Sequence, residues 1–327
     1  MPVERAAGGR LTRRSPRGGA RFAGIVRLLL LAVCLLALSG QALAARIAVV
    51  LSEDSEPYHD AYQAMRHQFD ASPHGYYPVY ADTLSAPLLA GAQVVVAVGV
   101  RATEAVAALP IRTPVLAAMV PRTWYLRSGR VLLADSGRRD FSALYVDQPF
   151  ERQAALIRQA LPDAGRVGVV LSAGQAGLVA ELEAALRPHG LRLVSAILQD
   201  EGPPLSVLEG VLADADLLLA VADPQVFNRS TAQSLFLTTY RYRVPVMGYS
   251  RSMTRAGALL SLHASPQQIG RQAAETVIAA VQGAAVRLPA PAYPAYFSIS
   301  INDKVGRSLG HSLPTEAELE KRMGARP

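Results

Sequence analysis

The chain has 327 residues, half of them hydrophobic, with a net charge of +7 at pH 7 and one cysteine. That length exceeds what a single core usually holds, so two domains are expected. The basic balance does not indicate nucleic acid as a partner. Residues 1–45 hold seven arginines against the single acid Glu4, so six of the seven net charges lie there and the rest of the chain carries about +1.

Residues 1–45 read as a signal peptide. Arg5, Arg10, Arg13, Arg14, Arg17, Arg21 and Arg27 precede an apolar segment, Leu28 to Leu38, too short for a stable membrane span, and Ala42-Leu43-Ala44 places cleavage near Ala44. Cys34 lies inside the apolar segment, so the mature chain would have neither disulfide nor thiol chemistry. Val33 is too large for a lipid-attachment site, and Ser15-Pro16-Arg17 lacks the apolar residues that follow a twin-arginine pair. Ordinary secretion into the periplasm is the expectation.

From Arg46 the pattern alternates strand and helix. Strands are predicted over Ile47–Leu51, near Tyr77–Tyr80, over Val94–Val98 and over Pro114–Met119, and Pro121–Asp140 reads as irregular. Phe141–Val146 alternates as an extended passage, and Asp147-Gln148-Pro149 opens a helix carrying Phe150, Ala154, Ile157 and Leu161. Strands follow at Arg166–Leu171 and Leu191–Ile197. The stretch from Asp216 to Tyr249 holds a full β-α-β unit: the apolar run Leu217–Val221, a helix from Asn228 or Ser230 to Tyr240 started by a Ser230/Gln233 capping box, and a strand at Val246–Met247. Ala258–Leu262 is a further strand. Ser265-Pro266-Gln267-Gln268 is a strong helix start, Tyr296–Ile301 alternates as a strand, and a short helix begins near Asn302 or Asp303.

The order repeats. Arg46-Ile47-Ala48-Val49-Val50-Leu51-Ser52 parallels Arg166-Val167-Gly168-Val169-Val170-Leu171-Ser172, Ala92–Val98 parallels Ala215–Val221, and Thr113-Pro114-Val115 parallels Val244-Pro245-Val246. The fold class expected is α/β: two doubly wound parallel-sheet, Rossmann-like lobes joined by three crossover segments near Ser142–Val146, Leu259–His263 and Phe297–Asn302. The expected division is 46–141 with 263–297 as lobe 1, and 142–262 with 298–320 as lobe 2.

Ala256-Gly257-Ala258-Leu259-Leu260-Ser261-Leu262 followed by Ile269-Gly270-Arg271-Gln272-Ala273-Ala274 resembles the substrate-binding protein family of ABC importers that includes aromatic amino-acid binders, of the type I periplasmic binding protein fold. Asp147-Gln148-Pro149, Pro245-Val246-Met247-Gly248 and Ile299-Ser300-Ile301-Asn302 with Lys304–Gly310 resemble it as well. Departures occur where Pro224 follows Asp223, where Tyr249 and Ser250 follow Gly248, and over Val120–Trp124, and they bear on whether the amino-acid ligand of those relatives carries over. The resemblance implies a protein that captures a small ligand by hinge closure and delivers it to ABC permease subunits, and a monomer is expected. The alternative is a sensing module that signals to a membrane receptor kinase.

In open parallel sheets ligands bind beyond the strand C-termini. Those positions give the candidate ligand-binding residues Ser52, Tyr58, Gly99, Arg101, Ala102, Thr103, Met119, Trp124, Asp147, Asp223, Asn228, Tyr249 and Ser250. Arg101 at a helix start suits a carboxylate, Tyr58, Trp124 and Tyr249 suit a planar ligand, and Asp223 suits an ammonium group. No Gly-x-Ser-x-Gly elbow, Walker loop or metal-spaced histidine set occurs, so neither catalysis nor a cofactor or metal is expected. His263, at a lobe passage, is a candidate pH-sensitive contact.

Overall fold

The structure is a computed structural model, which describes residues 44–137, 140–199, 204–228, 230–283 and 285–326. The expected signal peptide lies almost wholly outside the described residues. No helix among the described residues is long and apolar enough to cross a membrane.

Two sheets form, and they do not merge. In the first, β1 (Arg46–Leu51), β2 (Gly75–Tyr80), β3 (Val94–Val98), β4 (Val115–Val120) and β5 (Phe141–Tyr145) run parallel in the order β2-β1-β3-β4-β5. In the second, β6 (Arg166–Ser172), β7 (Arg192–Leu198), β8 (Leu217–Leu219), β9 (Val246–Gly248), β10 (Leu260–His263) and β11 (Ser298–Ile301) take the order β7-β6-β8-β9-β10-β11, with β11 antiparallel to β10. The first five strands of the second sheet repeat the order of the first. β1, β3 and β4 therefore correspond to β6, β8 and β9, the same pairs whose sequences run in parallel.

The helices in chain order are α1 (Glu56–Asp70), α2 (Val100–Ala107), α3 (Arg130–Asp135), α4 (Phe150–Ala160), α5 (Leu178–Leu186), α6 (Pro204–Leu212), α7 (Ala232–Arg241), α8 (Arg251–Ala256), α9 (Pro266–Ala280), α10 (Asp303–Leu309) and α11 (Glu316–Arg322). Strands buried on both faces need helices on both sides, and period-2 alternation sorts their side chains. Val94, Val96 and Val98 pack with Met65 and Phe69 of α1 and Ile269, Ala273 and Val277 of α9. Val95 and Ala97 face the other way, toward Ala102 and Val106 of α2 and Leu133 of α3. Each fully buried valine, leucine, isoleucine, methionine or phenylalanine among these contributes roughly 1.5–3 kcal/mol. In the second lobe Val167, Val169 and Leu171 pack against α4 and α5, and Val170 and Leu218 against α6 and α7.

Four expectations change. The passage expected to open lobe 2 at residue 142 is the edge strand of the first sheet instead: β5 pairs with β4 from Phe141 to Tyr145, and the chain crosses only after Tyr145. Pro121–Asp140, expected to be irregular, is largely helical. A turn at Arg122–Trp124 runs through a π-helical stretch, Tyr125–Gly129, into α3, with Tyr125 and Leu133 buried and the Trp124 indole over Gly129. The Ser230/Gln233 box does not start α7, because Asn228 Oδ1 takes the Ser230 Oγ and the amides of Ser230 and Thr231, at 2.6, 3.0 and 3.1 Å. A final helix, α11, carries a Thr315/Glu318 capping box not singled out from the sequence. The Ser265/Gln268 box at α9 forms as expected.

Three crossings join the lobes: Val146–Pro149, Ala264–Ser265 and Pro294–Phe297, each between an element packed in one core and an element packed in the other. The third is held from both sides. Gln272 Oε1 of α9 accepts from the Ala295 amide at 2.7 Å, and Gln268 Nε2 donates to Ser298 Oγ at 3.0 Å. From the second lobe, Arg152 of α4 donates to the Pro294 carbonyl at 2.8 Å and to Gln148 Oε1 at 2.6 Å, and its guanidinium lies over the Phe297 ring at 4.5 Å. Arg152 thus links the first crossing to the third.

Candidate functional site

The C-terminal ends of both sheets converge on a crevice beside the crossings. Arg122 and Thr123 beyond β4, Asp147 and Gln148 of the first crossing, Phe150 at the start of α4, Gln175 and Leu178 beyond β6, Val221 and Ala222 beyond β8, and Tyr293 line a cavity of about 20 Å³. That is room for one water and not for a solute.

A bidentate ion pair spans this crevice. Arg122 of the first lobe donates through Nη1 and Nη2 to Glu181 Oε2 and Oε1 of α5, at 2.8 and 3.3 Å. Burial weakens the Arg122 charge, but the bonded Glu181 carboxylate together with Tyr293 and Tyr145 offsets this and the Arg122 pKa rises. A Cβ built on Gly174 of the second lobe would stand 3.7 Å from Arg127 Nη1, so the lobes meet there too. The pair is partly exposed, which limits it to about 0.2–1 kcal/mol. Reversing the charge with Glu181→Arg is expected to expand the ligand-free protein in small-angle scattering; an unchanged radius of gyration would exclude the pair as a clasp.

Asp147 sits behind the pair. Its Oδ2 accepts from the Arg122 amide at 2.6 Å, and burial, opposed by that hydrogen bond, holds its carboxyl above the ordinary carboxylate pKa. Burial pushes the Tyr293 hydroxyl up to about 12. Two buried amide atoms at this crevice have no hydrogen-bond partner, Gln148 Nε2 and Gln175 Oε1.

The other sequence candidates divide into local groups. Ser52 Oγ donates to the Val98 carbonyl at 2.8 Å and accepts from the Ala102 amide at 3.0 Å, tying β1 to the start of α2. Thr103 is fully buried and donates to the Gly99 carbonyl. Gly99 has φ 92°, and a Cβ there would lie 2.4 Å from Ser52 Oγ and 2.8 Å from the Tyr58 ring, so a side chain is excluded. Arg101 is engaged by Asp82 in an exposed ion pair. Met119 has φ 56° at the register shift that ends β4, a strained position for a residue with a side chain.

In the second lobe, Asp223 is buried and accepts from the amides of Ser172 at 2.8 Å and Gln225 at 3.1 Å, so both oxygens are engaged. Asn228 organises the turn before α7, and Ser250 caps α8 through the Met253 amide. Tyr249 packs on the core beside α7, and burial and then Asp223 raise its hydroxyl pKa. Of the thirteen candidates, only Asp147 lines the crevice cavity itself. Arg122, Gln148, Gln175, Glu181 and Tyr293 were not singled out, although Arg122 and Gln175 fall in the segments after β4 and β6. Among the described residues no three His, Cys, Asp or Glu side chains gather as metal ligands.

Solved structures share this architecture. A conserved domain protein from Vibrio cholerae is 20% identical, with 85% of this chain and 98% of that one covered at a TM-score of 0.59. An ABC domain from Streptococcus pneumoniae in complex with L-Trp is 15% identical, with 86% and 99% covered at 0.56. The ligand-free, open structure of a substrate binding protein with adhesive properties from Clostridium difficile is 13% identical, with 83% and 97% covered at 0.64. At these identities the likeness is one of fold. No curated protein matches the chain in sequence. The family model described as ABC transporter substrate binding protein matches residues 89–316, most of both lobes and all three crossings, and the chain belongs to that family.

Proposed function

We propose that this chain is a periplasmic, non-enzymic solute-binding protein that closes on a small ligand between its lobes and delivers it to the permease subunits of an ABC importer. The observation that carries the reading is the Arg122–Glu181 pair, one side chain from each lobe, meeting across a crevice framed by strand C-termini. A ligand that touches both lobes binds the closed form more tightly than the open one, and that difference in affinity drives closure about the three crossings. The clasp alone biases this equilibrium by no more than about 1 kcal/mol, a factor of about five. It tunes closure and leaves control to the ligand.

Support comes from family membership, from the two separate sheets and from the three short crossings between them. The test is to denature the purified protein, identify the small molecules released, and add the identified compound back to ligand-free protein during small-angle scattering. Compaction on saturation is expected. A compound that binds without compaction would overturn closure as the mechanism.

A further inference from the structure

Two glutamines in the crevice are oriented by bonds that leave their other ends free. Gln148 is 6% exposed, and its Oε1 accepts from Arg152 Nη1 at 2.6 Å, which fixes the amide so that Nε2 faces away from Arg152 with no partner. Gln175 Nε2 donates to the Ala222 carbonyl at 3.3 Å, and its buried Oε1 has no partner. Both line the same cavity, one contributed by the first crossing and the other by the turn after β6. A buried donor and a buried acceptor left unpaired are disfavoured unless something supplies their complements.

The charged groups that line the closed crevice are matched. Arg122 is taken bidentately by Glu181, and Asp147 Oδ2 by the Arg122 amide. A carboxylate or cationic ligand held in the closed crevice must displace one partner of these pairs, or reach Arg127 at the rim beside Gly174, whereas an uncharged one leaves the pairs intact. The aromatic side chains of Phe150 and Tyr293 complete the wall. We propose that the crevice selects an uncharged, planar ligand with an amide-type edge, its acceptor taken by Gln148 Nε2 and its donor by Gln175 Oε1. This rests on the reading of the crevice as the capture site and adds the class of ligand. A site built on buried hydrogen-bonding groups rejects analogues that cannot pair with them far more strongly than an apolar pocket rejects a misfit.

The test uses the protein without residues 1–45, freed of bound small molecules by unfolding and refolding, and titrated calorimetrically with nicotinamide, uracil, nicotinate and D-arabinose. Binding of nicotinamide or uracil is expected, with nicotinate, which shares the nicotinamide ring but carries a carboxylate, at least about tenfold weaker. Gln175→Leu and Gln148→Met are each expected to weaken the amide probes at least about tenfold. Gln175→Leu leaves the Arg152 contacts untouched, and thermal melts establish that each variant folds. Tighter binding of nicotinate or D-arabinose, or unchanged affinity in both variants, would overturn the ligand class while leaving capture standing. If all four probes fail, the compound released on denaturation decides: an uncharged amide-edged molecule supports the proposal, and a carboxylate, amine or sugar overturns it. No released compound and no binding would overturn capture and ligand class together.

Discussion

Gly270→Ala is expected to destabilise the protein by about 3 kcal/mol, the upper end of overpacking costs. A Cβ at Gly270 would stand 2.1 Å from the Ala61 carbonyl oxygen and 2.8 and 2.9 Å from the Ala61 carbonyl carbon and Cα. These are backbone atoms in the middle of α1, which cannot move without shifting the helix. The contact is where α9 settles on the first lobe, next to the buried Ile269 and Ala273. Helix propensity alone predicts the opposite sign, since alanine is favoured over glycine in a helix interior by about 0.5–1 kcal/mol. Gly210 supplies the control: it lies within α6, and a Cβ added there would meet nothing within 4 Å, so Gly210→Ala is expected to stabilise by that amount. Urea denaturation of both variants checks this, and equal effects of the same sign would exclude the close helix contact.

Stability is also expected to fall by about 3 kcal/mol between pH 6.5 and pH 4 through His263 alone. His263 ends β10 at the second crossing, its Nε2 2.9 Å from Ser300 Oγ, and burial, with Arg251 adding repulsion, lowers its pKa from 6.5 to about 4. Below pH 6.5 the unfolded chain takes up a proton that the folded chain refuses, so the unfolded state gains until pH 4, and the residue contributes nothing to the slope above about pH 7.5. His263→Gln is expected to flatten this part of the profile. Denaturant midpoints of both proteins across that range test it, and parallel profiles would exclude the residue as the cause.

The strands are legible in the sequence because a doubly covered parallel strand must be apolar on both faces, as in Val94–Val98 and Leu217–Leu219. β5 is harder to place because Ser142 breaks an apolar run at a sheet edge, and such a segment reads as a connection. The helix after β4 is hidden by its arginines and Gly129; it is held by burial of Tyr125 and Leu133 and by the indole over Gly129, none of which shows as a period. Sequence reasoning points to the strand ends that border the crevice but favours hydroxyl and carboxylate side chains there. Ser52, Thr103, Asp223 and Ser250 satisfy backbone groups close to their own strand ends or helix starts. Arg122, Gln148, Gln175 and Glu181 meet only because two lobes lie at a particular angle, and that angle is set by crossings distant from one another in sequence.

The placement of α9 has a consequence for how the protein comes to be. Ile269, Ala273, Ala274 and Val277 cover a face of the first sheet, yet they are synthesised after almost all of the second lobe. A growing chain that has emerged as far as residue 262 has α1 but not α9 on that face, so the first sheet is only partly covered there until the late helix arrives. Completion of the first lobe is thereby postponed until most of the second has been made.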